Sequence, residues 1–123
     1  MLYCTAVNCM DGRIQVSVIE FLQKRFDAEY VDMITEPGMN LILHEGKDRA
    51  ILESVLNKVR LSVEGHDSQG IAVVGHFDCF VNAGSKDEQR VHTQSGVDWL
   101  RGYFPSMSII GLWVDEKFRV EEL

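Results

Sequence analysis

Apolar residues fall along this chain in two rhythms. Leu2 to Val7, Tyr30 to Ile34, Ile71 to Val74 and Ser108 to Val114 are short runs rich in β-branched and aromatic side chains, as buried strands are. Between them the apolar positions recur at helical spacing. Ile14, Val18, Phe21, Leu22 and Phe26 share one face, with Glu20, Gln23 and Lys24 opposite. Ile51, Leu52, Val55, Leu56, Val59 and Val63 define the longest helix, from about Lys47 to Val63. After a polar stretch from Ser85 to Gly96, Val97, Leu100, Arg101 and Phe104 read as a third helix. Thr35-Glu36-Pro37-Gly38 and Gly65 to Gly70 punctuate the pattern as turns, and Asp115-Glu116-Lys117 leads into a short edge strand, Phe118 to Glu121.

Strand and helix in alternation predict an α/β fold in three layers, a mostly parallel sheet with helices on both faces. Right-handed crossovers leave few topologies. The order 2-1-3-4, with a fifth strand at the edge, is the one that brings the ends of the first and third strands together. Residues 1–123 contain no linker, repeat or low-complexity segment and read as a single domain.

Composition narrows the function. A hydrophobic content of 46% supplies one core. The formal net charge of -7 argues against nucleic acid or an anionic membrane as partner, because both need clustered Lys and Arg. No apolar run is long enough to span a bilayer, and the N-terminus lacks the pattern of a signal peptide, so a cytoplasmic protein is expected. Three cysteines, two of them beside polar neighbours, favour reduced thiols or a metal over a disulfide framework.

The chemistry gathers where two strands stop. Cys9-Met10-Asp11-Gly12-Arg13 follows the first, and Gly75-His76-Phe77-Asp78-Cys79 follows the third. Functional groups in open α/β sheets collect outside the carboxyl ends of strands. His76-x-x-Cys79 can turn two ligands toward one ion, and Cys9 completes a Cys2His set suited to Zn2+, with a fourth tetrahedral position left open. Cys4, a conceivable fourth thiolate, lies within a strand and reads as a core thiol. Asp11 is the natural acceptor for the proton of a zinc-activated hydroxide, and Arg13 can hold it in a bidentate pair. His44 and His92 are candidate proton carriers. His66 should lie far from the metal, and Asp78 is expected to cap a turn or to bond a ligand.

Cys-x-Asp-x-Arg together with His-x-x-Cys closely resembles the signature of the β-class carbonic anhydrases. The resemblance implies Cys9, His76 and Cys79 as zinc ligands, Asp11 and Arg13 as the dyad beside the metal, carbon dioxide and bicarbonate as substrates, and a homodimer. It also implies that Asp11 could swing onto the metal if Arg13 released it. Several positions depart from the family pattern. The family's N-terminal helical arm is expected to be missing, Thr35-Glu36-Pro37-Gly38 stands where Arg-Asn-Ala-Gly is common, Phe80-Val81 replaces small residues, and Gly12 replaces Ser or Ala. Two alternatives therefore stand beside a carbonic anhydrase: a zinc hydrolase of carbonyl sulfide, carbon disulfide or another small electrophile, and a non-catalytic zinc-binding module of the same fold.

Overall fold

A computed structural model describes residues 2–123. Its elements run β1 (Tyr3–Asn8), α1 (Gln15–Arg25), β2 (Tyr30–Thr35), α2 (Met39–Glu45), α3 (Arg49–Gly65), β3 (Ile71–His76), α4 (Lys86–Tyr103), β4 (Ile109–Val114) and β5 (Val120–Glu122). All five strands join one sheet in the order β2-β1-β3-β4-β5. The first four are parallel and β5 runs antiparallel to β4. The expected order is thus the observed one.

Strand alternation divides the core between the two faces. Cys4, Ala6, Ala72, Val74, Leu112 and Val114 face one layer, where Ile14, Val18 and Leu22 of the α1 region cover them. Val7, Ile71, Val73 and Ile109 face the other, under Leu43 of α2, Val55 and Val59 of α3, and Val97 and Leu100 of α4. Leu22, Leu100 and Leu112 are wholly buried, and burying each contributes about 1.5–3 kcal/mol. No described helix is long and apolar enough to cross a membrane.

Four elements differ from the sequence expectation. Helix α2 was not anticipated. It has only seven residues, it is bracketed by Gly38 and Gly46 in the left-handed conformation, and tertiary packing of Met39 and Leu43 sustains it. Helix α4 begins at Lys86, at the very start of the stretch read as polar, and so takes in nearly all of it. Ser85 and Glu88 form a capping box there, and the first inward positions are Gln89 and Thr93, so an apolar period is absent although the face is buried. Strand β5 begins at Val120 because Phe118 has φ 59 and still belongs to the turn after β4. The third strand also extends to His76, which makes that residue a strand end with a fixed backbone.

Candidate metal centre

Strands β1 and β3 pair from Thr5↔Ile71 to Val7↔Val73 and then part. Cys9 lies just beyond β1, His76 ends β3 and Cys79 lies in the loop that follows, so the three meet where the strands separate. Their ligand atoms all lie within 4.8 Å of one another, and the residues are 5%, 1% and 5% exposed. His76 Nδ1 lies 2.8 Å from the Phe77 carbonyl oxygen, which can only accept a hydrogen bond. Nδ1 therefore carries the proton, and Nε2 presents a lone pair. Among the described residues, Nε2 is the one buried side-chain nitrogen or oxygen without a hydrogen-bond partner. An orphaned, correctly tautomeric imidazole nitrogen facing two thiols is the donor set that a soft divalent ion requires.

Backbone donors prepare the sulfurs for charge. The Gly38 N–H donates to Cys9 Sγ at 3.4 Å, and the Asn82 N–H donates to Cys79 Sγ at 3.3 Å. Burial raises the Cys9 thiol, but its neighbour His76 and the N–H groups of Gly38 and Asp11 outweigh burial and bring it down to about 7. In turn, burial opposes charge on His76, yet the Cys9 thiolate and the Phe77 carbonyl raise its pKa. Burial keeps the Cys79 thiol above its ordinary value. Cys4 stands apart: wholly buried within β1, it is pushed up to about 11 by burial and then by Asp32, as befits a core thiol.

Asp11 and Arg13 form a close ion pair. Arg13 Nη2 donates to Asp11 Oδ2 at 2.7 Å, Nε to Oδ1 at 3.1 Å, and the Arg13 backbone N–H to Oδ1 at 3.0 Å. These bonds hold the Asp11 carboxyl at about 2, below the usual carboxylate range. Arg13 also reaches the other motif, with Nη1 3.2 Å from Asp78 Oδ2 and Nη2 3.0 Å from the Asp78 carbonyl. Asp78 therefore anchors Arg13, contrary to the expectation that it bonds a ligand or caps a turn. Its φ of 50 turns the loop so that both its carboxylate and its carbonyl meet the guanidinium.

Polar residues that sequence reasoning passed over brace the loops. Gln15 Nε2 donates to the carbonyls of Cys9 at 2.8 Å and Asp11 at 2.7 Å, while Asn8 donates to Gln15 Oε1 at 3.0 Å. Asn40, Asn82, Gln89 and Thr93 form a buried network behind His76. A polar residue at an inward helical position was the signal available for Gln89 and Thr93. The rings of His44 and His92 lie 4.6 Å apart between centroids, tilted by 38°, and His92 is linked to the ligand loop by Asn82 at 3.0 Å. Burial and then His44 lower the pKa of His92. His66 lies at the opposite end of the sheet, 2.7 Å from Asp32 and stacked on Tyr3.

A cavity of about 230 Å3 opens onto the centre, lined by Cys9, Met10, Asp11, Pro37, Cys79, Phe80 and Val81. Its rim is apolar: Met10, Phe80 and Val81 are all exposed. A hollow of about 400 Å3 between α3 and α4 includes Arg49, Trp99 and Tyr103 but no cysteine or histidine.

This arrangement, a 2-1-3-4-5 sheet with two thiols and an imidazole at its central strand ends, has the fold of the β-carbonic anhydrases. One of two tetrameric β-carbonic anhydrases of Sordaria macrospora superposes with a TM-score of 0.65 at 13% identity, covering 98% of this chain and 79% of that one. The β-carbonic anhydrase CafD of Aspergillus fumigatus gives 0.61 at 14% identity, covering 100% and 90%. Isoform I from Trichomonas vaginalis gives 0.59 at 17%, covering 97% and 80%. The chain itself belongs to the family described as "Putative carbonic anhydrase", which matches residues 1–123. No curated protein matches its sequence significantly.

Proposed function

We propose that this protein is a zinc-dependent carbonic anhydrase that hydrates carbon dioxide reversibly to bicarbonate. The observation that carries the reading is the convergence of Cys9, His76 and Cys79, with an unpartnered Nε2, beside an Asp11 carboxylate locked to Arg13. Cys9 Sγ, His76 Nε2 and Cys79 Sγ would hold the ion. Bound there, Zn2+ would acidify a water and so supply hydroxide for attack on the carbon of the substrate.

The chain's own residues do the rest. Asp11, kept ionised by Arg13, accepts a hydrogen bond from the reacting water on a carboxylate oxygen and so orients its lone pair. Arg13 is itself anchored by Asp78, which keeps Asp11 away from the ligand set. The apolar rim of Met10, Pro37, Phe80 and Val81 offers a neutral linear molecule a site with little water. That rim equally suits carbonyl sulfide or carbon disulfide, the second reading. Exposed Phe80 and Met10 also support a homodimer, because a cluster of large apolar side chains at a site's mouth marks a contact surface. Unpaired Cys4, Cys9 and Cys79 accord with a reducing compartment such as the cytoplasm.

The test is stopped-flow carbon dioxide hydration on protein of known zinc content. Two thiolates would offset the charge of a bound ion, so its water would be acidified less than on a three-histidine centre. We expect a zinc-dependent rate that rises from neutral into alkaline pH. One zinc per chain with no rate at either pH would overturn the carbonic anhydrase reading and direct the assay to the sulfur analogues.

A further inference from the structure

Where β1 and β3 separate, His76 loses its neighbour on one side. The N–H groups of Ile71 and Phe77 donate to Ser108 and Val114 of the β4 side. Strand residues alternate in direction, so the peptide groups of His76 point the other way, toward β1. Pairing with β1 has already ended at Val7↔Val73. Buried peptide groups left like this must find partners elsewhere.

Gln89 of α4 supplies both. It is 1% exposed, and its Oε1 accepts from the His76 N–H at 3.2 Å while its Nε2 donates to the His76 carbonyl at 2.8 Å. The same Nε2 reaches the carbonyls of Asn82 at 3.0 Å and Gly84 at 3.2 Å, so one amide ties the strand end to the far side of the ligand loop. Asn40 fixes the orientation of that amide by donating to Oε1 at 3.1 Å. Gly75 makes room: a Cβ there would lie 2.7 Å from Asn40 Nδ2, 2.9 Å from Thr93 Oγ1 and 3.0 Å from Gln89 Oε1.

We propose that Gln89 is the positioning residue of the metal centre. Its side-chain amide takes the place of a neighbouring strand at His76 and holds the loop through Cys79 in ligating form before any metal arrives. The inference rests on the reading that Cys9, His76 and Cys79 bind a metal. It assigns Gln89 no contact with the ion or the substrate.

Gln89→Met keeps the length and removes every one of these hydrogen bonds. The readouts are the Zn2+ dissociation constant by chelator competition and the absorption spectrum of the Co2+-loaded protein. Loss of a residue that orients ligands lowers metal affinity by about 10- to 100-fold, and that is the result expected here, with an altered Co2+ spectrum. Val59→Ala, on α3 and away from the site, serves as a control that loses stability without touching the network. Its affinity and spectrum should match the parent. Equal affinity and an unchanged spectrum in Gln89→Met would overturn the proposal while leaving the metal reading intact; a parent protein that binds neither ion would overturn both. If Gln89→Met does not fold, amide hydrogen exchange on the metal-free parent decides. His76 should be protected as well as Val74, and exchange at the rate of an open loop would refute the role of Gln89.

Discussion

Replacing Gly38 by alanine tests the coupling of backbone conformation to the centre. Gly38 has φ +64, caps α2 and donates its N–H to Cys9 Sγ at 3.4 Å. An L residue held in the left-handed region costs about 1–2 kcal/mol. The added Cβ would lie 2.7 Å from Val81 Cγ1, inside contact distance. Overpacking costs about 1–3 kcal/mol, and Val81 Cβ, 3.0 Å away and fixed to the backbone, cannot turn aside as Cγ1 can. The sum is about 2–5 kcal/mol, a large part of the roughly 5–15 kcal/mol that stabilises a domain. Urea unfolding of the metal-free protein measures it. Gly12→Ala is the control: no atom lies within 4 Å of its Cβ position and its φ is not positive, so the change should stay within about 0.5 kcal/mol. Displacing the Gly38 N–H should also raise the Cys9 thiol from about 7 toward its ordinary 9.0. The pH profile of iodoacetamide labelling at Cys9, read by mass spectrometry, reports that shift. A stability loss below about 0.5 kcal/mol together with an unmoved labelling profile would refute the coupling.

Further substitutions separate holding the metal from using it. Cys79→Ser should lose zinc by elemental analysis, whereas Asp11→Ala should retain one zinc per chain and lose turnover. Full activity in Asp11→Ala would remove Asp11 from the mechanism. The acid limb of stability supplies another check on the metal-free protein. The Asp11 carboxyl is depressed from 3.8 to about 2 by Arg13, so its contribution is present above pH 3.8 and fades as pH falls toward 2. Urea midpoints between those pH values should fall less steeply in Asp11→Asn than in the parent. Parallel curves would show that the pair adds nothing, as many exposed ion pairs do.

Much of the fold was legible because periodicity is a local property. Four strands and the helices carrying Ile14 to Phe26 and Ile51 to Val63 bury apolar faces, so their spacing appears directly in the residue order. Helix α4 hid its first half for the opposite reason. Its inward positions Gln89 and Thr93 meet polar groups, and apolar spacing cannot reveal a buried polar face. Helix α2 is too short to show a period, and Gly38 and Gly46 mark its limits only once their backbone angles are known. At the site, the two motifs named the three thiol and imidazole candidates, because ligand chemistry requires particular residue types. They did not reveal Asp78 as the anchor of Arg13, since that contact spans 65 positions and depends on a loop that reverses at φ 50.

By itself, then, the sequence determined the α/β class, the family signature, and which residues can donate sulfur, nitrogen and carboxylate oxygen. Residue chemistry and spacing are written in the chain and need no partner in space. Tertiary structure decided which lone pair His76 presents, how strongly Cys9 is biased toward thiolate, and what replaces the missing strand beside His76. Those properties come from groups brought together across the sheet: Gly38 on Cys9, Asn82 on Cys79, and Gln89 on His76. Burial turns each such contact into a constraint, because a polar group without water must be met by the protein or by the ion it is built to hold.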